Sequence, residues 1–537
     1  MIQKKYFEKA IIQFNAIDWQ LLVFVILFLD VKLAFKVVAV VLIYALRFNM
    51  KFGLNLRHSR LPIFYLLIIL IGLLNYFFSG GFHHLNYTLT VFAGISFWML
   101  AFLAMHQVKL SIETQPAFVI ENTIVAFFII NAICSLVVLL EIIFKTGALN
   151  PFLYQGNYQE YFMGTGDYIK GVSFDTSTTN AILNAFGVIF FLERKRPLMV
   201  LLCMSVLLLT GSNITNIFLS LVLLFVFIFQ SNKVQKSLIL ICCFLFVVFV
   251  TKVSPQNNQY IIRSLNHFEF GASNNNQNDL AIASAFTRNK NKEIEEAKER
   301  IAYSYLDSLG KARAKHQRSF RTTPLGIYVI PKDDINGPTF QYRSIVSSVE
   351  KNMFFFINAH QNSLPLSTGR KEEKNVPGKI ISWKQTFNFL SAHPREMLTG
   401  TGIGNFSSKI AFKASGIGMA GSWPSKYKYM GKSFLHNHLD LYLNFFSKPD
   451  GFHSVVNSPA SVYDQLLSEY GIAGLAAYFL FYIGFFMKRI NWRSFKLSLI
   501  FLLSAFFFFD YWFEQLSIVI IFELFQFLND KETLSTT

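Results

Sequence analysis

Three histidines in the last quarter of the chain, His436, His438 and His453, are the side chains best suited to move a proton near neutral pH, where unperturbed imidazole titrates. Two of them lie in "FLHNHLDLYLNFF" (434–446). If that stretch is helical, His436 and Asp440 are four apart and share a face. Read as metal ligands, His436, His438 and Asp440 supply three donors, and no further coherent cluster accompanies them. Read as acid–base chemistry, one histidine between 436 and 453 is a general base. Upstream, "TGTGIGNF" (399–406) spaces three glycines as in a tight turn whose backbone N–H groups can approach an anion. No strand precedes that turn and no Walker lysine follows it. Downstream, "NSPASVYDQLLSEYGIAGLAAYFLFYIGFF" (457–486) begins polar, with Asp464, Gln465 and Glu469, and ends apolar enough for lipid. Asp464 and Glu469 are five apart and do not share a helical face well, so they do not form a catalytic carboxylate pair. Glu469 is expected to orient a neighbour or cap backbone groups.

The elements that carry these residues follow from composition. The chain is 53% hydrophobic and only 15% charged, well below the roughly 25% charged residues of a soluble domain. Long apolar runs at 61–78, 85–104, 120–143, 214–229, 237–250 and 472–487 approach or reach the roughly 20 residues that cross a bilayer. Shorter runs at 21–29, 33–46, 181–192, 198–209, 495–509 and 516–527 bring the expected count to about twelve spans. The expected fold class is therefore an all-α polytopic membrane protein. Three parts are expected: an N-terminal transmembrane domain of about nine spans (1–252), a large, mainly helical exported loop domain (253–461), and about three C-terminal spans with a short tail (462–537).

Orientation follows from the positive residues, which short cytoplasmic loops keep in excess. Lys4, Lys5 and Lys9, then Arg47, Lys51, Arg57 and Arg60, then "ERKRP", "SNKVQK" and "KRINWRSFK" all fall on one side when twelve spans are threaded. Both termini are then cytoplasmic, and nine of the eleven histidines fall on the exported side. The net charge of +17 reflects this basic edge and a mixed-charge loop, and does not imply a nucleic-acid partner. All four cysteines lie in apolar segments, so the exported loop carries no disulfide framework. The first apolar run has no small-residue cleavage site and reads as an anchor. Within the loop, 292–316, 341–359 and 379–390 look helical, whereas "ASNNNQNDLA" and "STGRKEEKNVPG" look disordered. In the third helix Ile380, Trp383, Phe387 and Leu390 form an apolar stripe that is expected to pack on the membrane domain.

The order of these features resembles the O-antigen ligase and O-antigen polymerase superfamily of bacterial envelope glycosyltransferases. Gly400, Gly402, Gly404, Asn405 and Phe406 match the family's glycine turn. Tyr463, Leu466, Leu467, Glu469, Gly471 and Gly474 match its motif ahead of a late span. "YIKGVSFDTSTTNA" (168–181) and "LLLTGSN" (207–213) resemble two further family segments. The resemblance implies a GT-C-like architecture with the large loop between spans nine and ten. It also implies a transferase in a bacterial inner (cytoplasmic) membrane, with the loop periplasmic. The implied donor is a polyprenyl-diphosphate-linked glycan, and the acceptor a lipid A core or a second lipid-linked glycan. Membrane lipids are the remaining partners, and neither cofactor nor metal is required.

This chain departs from the family pattern. The family's histidine position falls at Ala460 and its asparagine at Ser461; Lys170 and Asn213 stand where arginines are expected. The base is then expected from His453, His438 or His436. Lys170 and Arg263, each near the outer end of a span, are expected to bind the diphosphate, and Gly402, Gly404, Asn405, Tyr463 and Glu469 to support the site. An exported site has no access to nucleotide sugars, which agrees with a lipid-linked donor. Ligase and polymerase share this chemistry, and the sequence does not separate them. The rival outside the enzymes is a flippase for lipid-linked oligosaccharide, or a polysaccharide transporter.

Overall fold

The structure is a computed structural model that describes residues 16–53, 61–79, 81–146, 149–153, 165–254, 378–415, 423–438, 441, 458–488, 490 and 494–536. His453, Arg263 and the helices expected at 292–316 and 341–359 lie outside the described residues, as does Asp440. Of His436 only the backbone is described.

Among the described residues all regular structure is helical, with no strand. Each of the twelve apolar runs coincides with a helix. In chain order the first nine are α1 (Trp19–Leu29), α2 (Leu33–Leu46), α3 (Phe64–Phe78), α4 (Leu85–Thr114), α5 (Ala117–Thr146), α6 (Ser177–Glu193), α7 (Pro197–Leu209), α8 (Asn213–Phe229) and α9 (Lys233–Val248). After them come α10 (Gly378–Ala392), α11 (Pro394–Thr399), α12 (Lys409–Ser415) and α13 (Lys432–Asn437). The last elements are α14 (Val462–Ala477), continued by a π-helical turn to Met487, then α15 (Phe495–Phe506), α16 (Trp512–Gln515) and α17 (Ser517–Thr536).

Four stretches are long and apolar enough to cross a membrane: Leu85–Thr114, Ala117–Phe144, Lys233–Val253 and Val462–Met487. Several of the other apolar helices have 10–17 residues, fewer than the roughly 20 that span a bilayer unaided. Large apolar side chains are left outward along these helices, among them Val41, Leu221 and Phe244 at 63, 57 and 67% exposure. Water would penalise that surface and lipid does not. This is an all-helical membrane-embedded protein. Its centre is made by α6 and α17, which are buried almost all round. They meet through Phe190 stacked on Phe525 at 4.1 Å between ring centroids.

The polar start and apolar end of the segment 457–486 are divided by a break inside α14. Gly471 has φ 67° and ψ −167°, a conformation that only glycine adopts cheaply. The break keeps the preceding turn from bonding onward, and the glycine turn takes its place. Thr401 N donates to Ser468 O at 2.9 Å, and Gly402 N to Glu469 O at 3.0 Å. The approach is backbone on backbone. A Cβ on Gly400 (φ 80°) would lie 2.2 Å from the carbonyl carbon of Glu469, and one on Gly471 would lie 2.5 Å from that of Leu398.

α10 differs from expectation in which face it hides. Ile380 and Phe387 of the apolar stripe are 53 and 55% exposed, whereas Lys379, Ser382, Thr386 and Leu390 are buried. The reason is its neighbour: α10 packs on the polar half of α14, so its polar side chains find partners inward. Only Ile380 and Phe387 of the stripe are left facing out; Leu390 is buried, and Trp383 is half-buried and close to Phe508 at 6.3 Å.

Gly400→Ala and Gly471→Ala are each expected to lower stability by about 2 kcal/mol or more, because strained φ and a backbone clash add. Thermal unfolding of the detergent-solubilised protein checks this; melting points equal to that of the parent would contradict the clamp.

Candidate functional site

The glycine turn holds a carboxyl group of this chain, that of Glu469. Phe406 N donates to Glu469 Oε1 at 3.2 Å, and Gly404 and Ser408 lie close to that carboxyl. Asn405 ties the turn down at its far side. Its Nδ2 donates to Tyr87 Oη at 2.9 Å and to Thr401 O at 2.8 Å, and its Oδ1 accepts from Tyr429 Oη at 2.6 Å. Tyr463, one turn ahead of Leu466 and Leu467, donates to Ser504 O at 2.9 Å and so fixes α14 to α15.

Beside this clamp lies a buried triad of side chains. Ser382 Oγ donates to Asp464 Oδ2 at 2.6 Å and lies 3.3 Å from His438 Nε2. His438 Nε2 is 3.8 Å from the same carboxylate oxygen, and all three residues are 0% exposed. The imidazole is walled by Phe406 and Phe412, at 5.4 and 6.2 Å between ring centroids. One turn earlier on α10, Lys379 Nζ donates to the carbonyls of Ala460 and Phe509. Ala460 is the position where the family resemblance places a histidine. Burial lowers the pKa of Lys379 from 10.5 to about 7, against the opposing pull of Asp510 and Asp464.

A second feature opens on the other side of α12. A cavity of about 80 Å³ is lined by Lys36 of α2, Lys409 and Lys413 of α12, Asp175, and Glu514 of α16. Val31, Leu33 and Phe97 form its apolar wall, and Val31 and Leu33 are themselves 44 and 42% exposed. Lys409 and Lys413 are four apart, so both reach one face. Burial, with Lys409 nearby, holds the Lys413 pKa below the usual lysine value. Lys36 Nζ donates to Phe28 O at 2.6 Å and Ser517 Oγ at 3.4 Å. The two carboxylates are occupied: Asp175 accepts from Thr179 Oγ1, and Glu514 accepts from Ile410 N and Gln465 Nε2. Three lysines therefore line the cavity beside two carboxyl groups that are already bonded elsewhere.

The two features share their supports. Phe412 lies against His438 while Ile410 and Lys413 of the same helix line the cavity. Gln465, next to Asp464, reaches Glu514 at 2.9 Å. Asp175 is set by a buried amide cluster: Asn131 Nδ2 donates to Asn180 Oδ1, Asn180 Nδ2 to Ile169 O, and Val172 N to Asn131 Oδ1. Lys170 sits half-buried on that same loop, five residues before Asp175, and does not line the cavity.

Of the residues singled out from sequence, the structure brings together His438, Gly402, Gly404, Asn405, Tyr463 and Glu469 around α14. Sequence reasoning missed Ser382, Asp464 as a partner of histidine, Lys36, Lys409 and Lys413. A lone cation inside an apolar run was the available signal for Lys36, since intramembrane charges are costly and usually functional. Two lysines four apart just after the glycine turn were the signal for the others. No family model, curated protein or solved structure matches the chain.

Lys379 generates a pH prediction. Its folded pKa lies below its unfolded value, so the unfolded chain binds more protons between about pH 7 and 10.5. Stability from this group therefore rises with pH across that window and is flat below it. Lys379→Met is expected to remove up to about 1.4 kcal/mol per pH unit of that slope. Unfolding measured at pH 7 and about pH 10 checks it, and an unchanged slope would contradict the assignment.

Proposed function

We propose that this protein is a membrane glycosyltransferase of O-antigen ligase or polymerase type. It takes a polyprenyl-diphosphate-linked glycan as donor and acts on the exported, periplasmic face of a bacterial inner membrane. The observation that carries this reading is the cavity with three lysines and an apolar, partly exposed wall. A lipid diphosphate has both parts, an anion for Lys36, Lys409 and Lys413 and an isoprenoid chain for Val31, Leu33 and Phe97. Its volume, by the size of a water site, holds roughly five heavy-atom centres, about one phosphate group.

In the proposed reaction the acceptor hydroxyl attacks the anomeric carbon of the donor sugar. His438 takes the hydroxyl proton, the new glycosidic C–O bond forms, and the bond from the anomeric carbon to the diphosphate oxygen breaks. The lipid diphosphate leaves with the electron pair, and the lysines stabilise the charge as it develops. Lysine does this as a point charge, without the bidentate fork of arginine. The acceptor is a lipid A core for a ligase or a second lipid-linked glycan for a polymerase.

A second reading, a flippase or transporter of the lipid-linked glycan, draws on ionisable groups inside the spans. Lys36 is 3% exposed, and Glu523 of α17 is 1% exposed and held by Tyr65 and Tyr482. Buried charges of this kind mark transport paths.

Lys409→Gln with Lys413→Gln, and separately Lys36→Met, are expected to weaken binding of undecaprenyl diphosphate about 10- to 100-fold, since a hydrogen bond to a charged group contributes ~1.5–3 kcal/mol. Native mass spectrometry from nanodiscs measures it; parental affinity in both variants would refute the cavity as the donor site. His438→Ala separates the two readings, because it is expected to abolish glycan transfer and leave translocation of the lipid-linked glycan intact. In cells, short lipid-linked repeats accumulate if a polymerase is lost, and unattached long polymer if a ligase is lost.

A further inference from the structure

α10 is sorted the wrong way round for a helix whose outer side meets water. Lys379, Ser382 and Thr386 are buried, whereas Ile380 and Phe387, seven apart and so on one face, are more than half exposed. Trp383 lies half-buried at one edge of that face, and exposed Lys384 and Asn388 border the other. An apolar strip with polar groups along its border is the pattern of helices that lie in a membrane interface. Two exposed apolar residues alone would be ordinary surface, so what the strip adjoins decides the matter. Trp383 lies near both Phe387 and Phe508, at 6.1 and 6.3 Å between ring centroids. Phe508 in turn meets Tyr463 at 4.6 Å, and Tyr463 stacks on Phe479 at 6.2 Å. Phe479 and Phe508 are themselves exposed, and Phe479 belongs to Val462–Met487, a stretch long and apolar enough to cross a membrane. A chain of ring contacts therefore links the strip to the outward side of a span. α11 makes a second junction: the carbonyl of exposed Leu398 lies against Gly471, and exposed Ile472 follows it.

We propose that the outward face of α10 docks into the bilayer leaflet at the N-terminal end of α14. Ile380 and Phe387 lie among lipid acyl chains, and Trp383 sits at the headgroup boundary, where indole rings collect. Lys379 fixes the level. It donates to the carbonyls of Ala460 and Phe509, which lie just before α14 begins and just after α15 ends. That is the height at which the chain passes between bilayer and water, so a helix tied there meets the headgroup region. The occupant of the face is lipid of the surrounding membrane, because the strip continues a surface that lipid already covers. The same helix then has two duties: its polar face completes the buried cluster around Asp464, and its apolar face anchors that cluster to the membrane surface. This holds whatever reaction the protein performs.

Tryptophan fluorescence of the full-length protein in nanodiscs tests it. Ile380→Trp and Phe387→Trp each add one indole, whose emission is the difference from the parent. Phospholipids brominated on the acyl chain near the headgroup quench indoles that touch them, and acrylamide dissolved in the water quenches indoles that face solvent. Val41→Trp, at an exposed position of α2, calibrates the bromine signal. Both added indoles of α10 are expected to lose most of their emission in brominated nanodiscs and little with acrylamide. The native indole is read without adding bulk, as the emission that disappears in Trp383→Phe; it is expected to be quenched by the brominated lipid as well. Quenching by acrylamide without quenching by bromine shows a strip that faces water and overturns the proposal. An indole that neither quencher reaches is covered by protein, either a second copy or another segment of this chain, and overturns it equally.

Discussion

The structure turns on a helix that is broken on purpose at Gly471. An unbroken α14 would keep its backbone carbonyls to itself. The break offers those of Ser468 and Glu469 to Thr401 and Gly402, while the Glu469 carboxyl accepts from Phe406 N in the same turn. Buried backbone groups without partners are costly, and each side here completes the other. Two stretches more than sixty residues apart in sequence thus become one rigid unit. Everything of chemical interest is fixed to it: α10 and Ser382 on one flank, α12 with its lysines on another, and Asp464 on the helix itself.

Low dielectric gives the site its character. Around α14, polar side chains are buried among aromatic rings, where an unmatched hydrogen bond costs more than it does in water. That is why Lys379 approaches neutrality between two carbonyls. The cavity shows the complementary arrangement. Its carboxyl groups are bonded to the protein's own groups, which leaves Lys409 and Lys413 facing whatever enters, with Lys36 held beside them by Phe28 O and Ser517 Oγ.

The helices were legible in the sequence because apolar runs of this length have few other ways to satisfy their backbone in lipid. The glycine turn and the segment ahead of the last three apolar helices were legible as special, since φ above zero requires glycine and carboxylates rarely precede a span without reason. Their partnership was not legible, because nothing local in either stretch names the other. The group held at the turn turned out to be the Glu469 carboxyl. The stripe on α10 misled for a physical reason: pattern rules assume that the outside is water, and beside a membrane the apolar side can face outward. Lys36 lies some 370 residues before Lys409, so only folding reveals that they share a cavity. His453 came first among the candidate bases, ahead of His436 and His438; of the three, only His438 has its side chain among the described residues, and it lies beside Ser382 and Asp464.

The backbone is pinned near Phe406 by Glu469 and again at Ser461 by Phe507, so both ends of the intervening chain are fixed to the same body. Lengthening such a loop costs little, since closure entropy grows only with the logarithm of its length. The anchors themselves are set by Glu469 and Phe507, which lie after that loop in the chain.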